Sequence, residues 1–445
     1  MYKVFVEDFI SITNARLVQG NKKLEIKNLN IDTRTIQKGE IFVAIEKGNE
    51  HIEEAIEKGA IGIILEKLPE KKLLEKYPNI TIIKVENSIT SLQNVAKFKR
   101  EKYNIPVVAI TGSVGKTSTK DIVAKVVEKK YKVLKTEGNL NNHIGVPLTI
   151  LKLDDHEALV IEMGMNHFGE ISVLTNIVKP TIAVITNIGT SHIGILGSRE
   201  NILKAKLEIL EGLVSNGKIV INNDNDLLHE WNNNAKKAIT YGIENESNIR
   251  ATNIKIGENG STYNVREYTV SVPISGTHFI YNSLCAISIG KILDIDMTKI
   301  IEGISEFKLT KKRMETKEIK NCIVINDAYN ASYESMKYAL EYLNNIKGTR
   351  KIAILGDMLE LGEFSEKLHE KVGEEVKADI LITVGNEAKN IAKAAKNVKE
   401  IYIYNNNKEA ANKIKNIMKN GDVILLKASN GMKFGEILQE IESNV

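Results

Sequence analysis

Cysteine is nearly missing: the 445 residues contain two, Cys285 and Cys322. They lie far apart in apolar stretches, which excludes a disulfide framework and a cysteine-built metal site. Two buried free thiols in a reducing compartment are expected instead. Surplus charge is missing as well. A net charge of +4 is small for this length, whereas a nucleic-acid binder carries a larger and clustered basic excess, so no nucleic-acid partner is expected. No apolar run approaches the roughly 18 residues that a membrane span requires. The opening stretch Met1-Tyr-Lys-Val-Phe-Val-Glu-Asp brings acids early and holds no long apolar segment. No signal peptide is therefore expected, and the cytoplasm is the expected location.

Length and alternation are what the chain does have. One hydrophobic core does not extend over so many residues, and a prior of roughly 150 per domain suggests about three. Short β-branched runs alternate with helical patterns throughout, which predicts an α/β fold of parallel sheets covered by helices. A first, small α/β block (1–104) has strands predicted at 41–45, 61–65 and 81–85 and helices at 52–58 and 89–102. The chain restarts after Ile105-Pro106. The middle block (105–309) has strands predicted at 107–110, 158–161, 182–185 and 219–221. Turn-linked antiparallel strands over 249–274 and a helix over 281–293 follow. A basic turn, Leu309-Thr-Lys-Lys-Arg313, opens the last block (310–445). Its strands, at 323–325, 352–355, 380–384, 401–404 and 423–426, form a doubly wound pattern. In open parallel sheets, ligands bind beyond the carboxyl ends of the strands.

Beyond the first strand of the middle block stands Thr111-Gly-Ser-Val-Gly-Lys-Thr-Ser-Thr119, running straight into a helical pattern. Gly112 and Gly115 let the backbone turn inward, so that the N–H groups of Ser113, Val114 and Ser118 can face a phosphate at a helix N-terminus. Lys116 can reach the outer phosphates, and the Thr117 hydroxyl can hold Mg²⁺. Ile110 stands where the longer form of this loop carries glycine, so the motif is the shorter Gly-x-x-Gly-Lys-Thr form. A Gly-rich turn before a basic helix is the plainer alternative. The next strand ends at Glu162, and the one after it leads to His192, bringing a carboxylate and an imidazole to the same sheet edge. Alone, each reads more simply as a turn cap and a loop histidine. Beside a phosphate loop they read as ligands of Mg²⁺. In Asn201-Ile-Leu-Lys-Ala-Lys-Leu-Glu-Ile209, composition makes both Lys204 and Lys206 solvated surface residues.

These motifs together resemble the Mur ligase family, over essentially the whole chain. The strings Gly138-Asn-Leu-Asn-Asn-His-Ile-Gly-Val-Pro147, Glu162-Met-Gly-Met-Asn-His-Phe-Gly-Glu170, Asp327-Ala-Tyr-Asn-Ala-Ser332 and Leu355-Gly-Asp-Met-Leu-Glu-Leu-Gly-Glu363 are most similar to its D-alanyl-D-alanine-adding branch. The resemblance implies a domain for a UDP-linked sugar, a central P-loop-type ATPase domain and a Rossmann-like domain for the incoming amine. It implies a monomeric ligase that uses ATP and Mg²⁺ to join D-alanyl-D-alanine to UDP-N-acetylmuramoyl-tripeptide. Lys206 becomes, by the same resemblance, a CO₂-carbamylated lysine that helps hold the metal. Asn282 becomes an adenine contact with His278 in its motif, Arg313 an interdomain arginine on the phosphates and Asp327 the acid on the ribose side. The resemblance assigns Asp32, Thr33 and Arg34 to the uridine-nucleotide site. Asn139, Asn142, Asn166, His167, Tyr329 and Asn330 join them as substrate contacts.

The chain departs from the family in places. It has Asn49-Glu50-His51 for Asp-Gly-His, Asn326 for a common Asp, Tyr333 for a common Pro, and Asn430 for the arginine of Lys-Gly-Ser-Arg-Gly. A sister ligase adding a single amino acid and a nucleotide-operated switch are the alternative readings.

Overall fold

The computed structural model describes residues 2–235, 237–310 and 313–443. Three mixed or parallel sheets follow one another along the chain. The first takes strands β1 (Arg16–Gln19), β2 (Leu29–Asn30), β3 (Ile41–Val43), β4 (Gly62–Leu65) and β5 (Thr81–Lys84) in the order β1-β5-β4-β3-β2. Only β1 runs antiparallel to its neighbour. Ile63, Ile82 and Phe42 fill a small core on one face, while Ile41, Ile64 and Ile83 join the large central core on the other. Alternation with a period of two thus serves two cores at once.

The middle sheet is all parallel: β6 (Val107–Thr111), β7 (Val133–Lys135), β8 (Ala158–Glu162), β9 (Ile182–Ile185), β10 (Lys218–Asn222), β11 (Ala238–Gly242) and β12 (Ile249–Arg250) lie in the order β12-β11-β10-β9-β6-β8-β7. Strands β6, β8 and β9 are buried from end to end, as expected where helices cover both faces of a parallel sheet. Because β6 sits between β8 and β9, the chain leaves it in one direction and returns past it in the other. The loops after these three strands therefore meet at one edge, the crevice such sheets use for ligands. An antiparallel meander, β13 (Thr252–Gly257), β14 (Gly260–Val265) and β15 (Tyr268–Val272), follows, then helix Thr277–Ile292.

In the last sheet β16 (Glu315–Ile319), β17 (Cys322–Asn326), β18 (Arg350–Gly356), β19 (Ile380–Val384), β20 (Glu400–Tyr404) and β21 (Asp422–Lys427) lie in the order β16-β17-β21-β18-β19-β20. Only β16, the strand that enters from the linker, is antiparallel. The strand positions expected from β-branched runs appear here within a residue or two of their bounds. Strands β1, β2, β7, β11 and β16 were not anticipated, and β12, expected within the antiparallel stretch, pairs parallel with β11. Cys285 and Cys322 are free and buried. Among the described residues no helix is long and apolar enough to cross a membrane.

Candidate active site

Between β6 and helix Lys116–Val127 the chain makes a tight loop whose shape depends on two glycines. Gly115 adopts φ 78°, a left-handed conformation that costs a glycine little. A Cβ on Gly112 would collide with Thr186 Oγ1 on the loop after β9. That neighbouring loop fastens the turn from outside. Asn187 Oδ1 accepts from Val114 N (3.0 Å), Asn187 Nδ2 donates to Val114 O (2.9 Å), and Ser113 Oγ accepts from Gly189 N (2.9 Å). Lys116 folds back over the loop, its Nζ donating to Gly112 O at 2.8 Å. Burial lowers the Lys116 pKa; Glu162 opposes that shift and Arg313 reinforces it.

Glu162, at the end of β8, is 1 % exposed. A buried carboxylate needs donors, and it has two from side chains: Thr117 Oγ1 at 2.9 Å and Asn141 Nδ2 at 2.7 Å. Asn141 was not singled out in the sequence, because nothing local marks it among the three asparagines of that stretch, Asn139, Asn141 and Asn142. The structure corrects the reading of Lys206. On helix Arg199–Leu207 it is 2 % exposed, whereas Lys204 on the other face is exposed. It makes no hydrogen bond or ion pair among the described residues. Burial first, and the charge of Lys116 second, push its pKa well below the ordinary lysine value. A helix with one buried face explains the split, since residues two apart project to different sides.

His192 occupies a left-handed backbone position, φ 65°, and its Nδ1 lies 2.6 Å from Glu360 Oε2 of the last sheet's loops. Burial and Lys116 lower its pKa while Glu360 opposes them. Among the described residues no three His, Cys, Asp or Glu side chains converge to hold a metal unaided. Glu162 and His192 by themselves therefore make no closed metal site.

A cavity of about 400 Å³ joins this loop to the last block. Ser113 to Ser118, Asn139, Asn142, Glu162, Asn166 and His192 line it from the middle sheet; Arg313, Asp327, Tyr329, Asn330 and Lys427 line it from beyond the linker. Asn142 also uses its Oδ1 to cap helix Gly145–Leu151, accepting from Gly145 N at 2.8 Å. The guanidinium carbon of Arg313 stacks 4.1 Å from the Tyr329 ring centroid. Asp327 takes a 2.6 Å ion pair from Lys427, which is 1 % exposed and also donates to Asn330 O at 3.1 Å. Lys427, the last residue of β21, thus ties that strand's end to the loop after β17.

At the far end Tyr241, His278, Tyr281, Asn282 and Tyr338 form an aromatic pocket. Tyr338 stacks on His278 at 4.9 Å. Asn282 Oδ1 accepts from Thr119 Oγ1 at 3.0 Å, but Asn282 Nδ2 and His278 Nδ1 are buried without a partner among the described residues. Two orphaned polar atoms beside aromatic faces suit a flat heterocycle with nitrogen donors and acceptors.

Four expected substrate contacts lie outside this cavity. Asp32, Thr33 and Arg34 follow β2, where Arg34 Nη2 pairs with Asp32 Oδ2 at 2.6 Å and holds that carboxyl down at about 2. Lys58 Nζ donates to Thr33 O at 3.0 Å. His167 is exposed and pairs with Glu170.

The chain matches the family described as Mur ligase middle domain over residues 110–290 and the one described as Mur ligase, glutamate ligase domain, over 312–430. It is 36% identical over 431 residues to the UDP-N-acetylmuramoyl-tripeptide--D-alanyl-D-alanine ligase of Bacillus subtilis, covering 94% of this chain and 93% of that relative. The crystal structure of MurF from Acinetobacter baumannii superposes with a TM-score of 0.88 at 26% identity, covering 100% of this chain and 99% of that one. MurF ligase from Thermotoga maritima in complex with ADP gives 0.80 at 28% identity, covering 94% and 97%.

Proposed function

This chain belongs to the Mur ligase family, and from that premise we propose that it joins D-alanyl-D-alanine to UDP-N-acetylmuramoyl-tripeptide with the conversion of ATP to ADP and phosphate. The relatives at this level of identity carry the dipeptide-adding name, which favours that reaction over addition of a single amino acid. We assign 1–104 to the UDP-sugar, 105–309 to ATP and 310–445 to the amine, in a monomer acting in the cytoplasm. The observation that carries the proposal is the cavity itself, where a phosphate loop and Glu162 face Arg313, Asp327 and Lys427 from a separate sheet.

A carboxylate does not condense with an amine in water, because it offers no leaving group. Transfer of the γ-phosphoryl group to the tripeptide carboxylate creates one. The amine then adds to the acyl carbon, and the tetrahedral adduct expels phosphate. Lys116 and Arg313 stabilise charge spreading over the phosphoryl oxygens. The N–H groups of Gly112–Ser118 hold the remaining phosphates at the helix N-terminus. Asn282 and His278 use their unpartnered atoms on the base, and Asp327 receives the ribose. Asp32, Thr33, Arg34, Asn139, Asn142, Asn166 and His167 contact the UDP-linked substrate, and Tyr329 and Asn330 the reacting ends. Docking of the last sheet's loops over the cavity excludes water from the acyl phosphate.

The donor set fits magnesium, with Thr117, Glu162 and His192 as the residues that would hold it. When bound, the ion neutralises charge on the phosphates. The set lacks a second anion, and a carbamate on Lys206 would supply one. Its amine is buried and held toward the neutral form, the form that adds CO₂ and, losing a proton, becomes a carbamate. An unmodified Lys206 by carbon-13 NMR under saturating bicarbonate and Mg²⁺ would remove that assignment. The reaction is tested by phosphate release, which should require both UDP-N-acetylmuramoyl-tripeptide and D-alanyl-D-alanine. Lys116→Ala should slow it by roughly 10²–10³-fold, as for loss of one transition-state donor; near-normal turnover would refute the role of the loop.

A further inference from the structure

A second cavity, of about 490 Å³, opens beside the first, and the two share Asn166, His192, Tyr329 and Asn330. Their charges differ. Lys116, Arg313 and Lys427 line the first, whereas no lysine or arginine is among the described residues lining the second. Its carboxylate is Glu360, whose side chain is 48% exposed.

Glu360 is held there at a cost. Its backbone is left-handed, φ 63°, as is that of His192, φ 65°. Such positions in non-glycine residues are strained and persist where the surroundings impose them. The surroundings are visible. Gly194 N donates to Glu360 O at 3.0 Å, and a Cβ on Gly194 would overlap the backbone of Leu361 and Gly362. Just before Glu360 in the chain, buried Asp357 accepts from three successive N–H groups, those of Asn386, Glu387 and Ala388. Met358 N donates to buried His369. The loop is thus braced on both sides, and its outward products are Leu359, 45% exposed, and Glu360. Glu360 Oε2 meets His192 Nδ1 at 2.6 Å, while Oε1 has no protein partner among the described residues.

On the reading that the last sheet's loops receive the dipeptide, we infer that Glu360 binds its ammonium group and that no cation of the second cavity pairs with its far carboxylate. The charge pattern supplies the direction. Phosphate occupies the cationic cavity, so the ammonium is drawn to Glu360, the one carboxylate among the described residues lining the second cavity. Neutral donors at the other end, Ser429 and Asn430 among them, leave the dipeptide's carboxylate without an ionic partner. Recognition therefore rests on the amine end.

The test is steady-state phosphate release by the full chain with ATP and UDP-N-acetylmuramoyl-tripeptide. In Glu360→Gln the KM for D-alanyl-D-alanine should rise by roughly 10–100-fold, the weight of a charge-assisted hydrogen bond. The KM for ATP and the half-saturating Mg²⁺ concentration should stay put, which a general loosening of the site around His192 would not allow. With the unaltered chain, D-alanyl-D-alanine amide should be used with a kcat/KM within roughly threefold of the acid, since an uncharged end loses only a neutral hydrogen bond. An unchanged dipeptide KM in Glu360→Gln, a shifted Mg²⁺ requirement, or an amide used more than roughly 20-fold less well would overturn the inference while the ligase assignment stands. If the unaltered chain shows no dipeptide-dependent phosphate release, the underlying reading fails and this one with it.

Discussion

The middle sheet has two neighbours, and it is joined to them by opposite chemistry. On the side of the first sheet, helix Ser88–Glu101 delivers Lys99 and Arg100, each 6% exposed. Lys99 Nζ donates to Leu151 O at 2.7 Å, and Arg100 Nε donates to Val178 O at 2.8 Å. Those carbonyls end helices Gly145–Leu151 and Glu170–Val178, where the partial negative charge of a helix favours a cation. On the side of the last sheet, carboxylates meet hydroxyls, an imidazole and one exposed lysine, Lys347 on Glu258 at 3.6 Å. Glu334 accepts from Thr190 Oγ1 (3.0 Å), Glu341 from Thr277 Oγ1 (2.7 Å) and N, and Glu360 meets His192. Parting the first joint would cost Lys99 and Arg100 their buried carbonyl partners. Half-buried carboxylates can exchange their partners for water. The second joint is thus the one whose contacts water replaces more readily, which suits a ligase that must admit substrates and then seal them off.

Four measurements would sharpen or break this contrast. Arg100→Ala strands three carbonyls, those of Tyr103, Val178 and Lys179, and should lower global stability by about 3 kcal/mol. The urea midpoint should fall while ADP affinity of the folded protein holds; a loss under about 1 kcal/mol would make the two joints alike.

Acid should attack the second joint. Burial, then Lys427, hold His278 down at about 3, against about 6.5 in the unfolded chain. Between those values the unfolded chain binds a proton that the folded one refuses, so stability falls as pH drops. From pH 7 to pH 5 the cost is about 2 kcal/mol, and His278→Asn should remove it from the pH dependence of urea unfolding. Because the imidazole stacks on Tyr338 of the last block, limited proteolysis of the linker should also quicken on acidification.

Glu341→Gln weakens the acceptor that caps helix Thr277–Ile292 from across the joint. About 1 kcal/mol is at stake, visible as roughly fivefold weaker ADP binding by calorimetry. Thr310→Val removes one donor from Asp121, whose carboxylate keeps Lys120 and Lys135. About 0.5 kcal/mol should be lost, measurable only as a small shift in melting temperature.

Much of this was legible in the residues. Continuous β-branched runs such as Ile182–Ile185 announce parallel strands buried on both faces, and the loop from Gly112 to Thr117 announces its own geometry, since both are local. Lys206 was not legible from periodicity. Whether a lysine on a helix is solvated depends on what packs over that face, and the family resemblance alone pointed inward. Asn141, Asn187, Tyr338 and Glu360 escaped notice for a related reason. Each acquires its part from a group far along the chain, Glu360 from His192 at 168 residues' remove, and no short window holds both ends.

The stack of Arg313 on Tyr329 has a consequence for direction. A guanidinium carries its hydrogens in its own plane, and the phenol ring seals one of its two faces. An anion can then meet Arg313 only along the rim, as a key enters a slot. A lysine in its place would keep the charge and lose the slot, because an ammonium group points its hydrogens outward like the legs of a tripod.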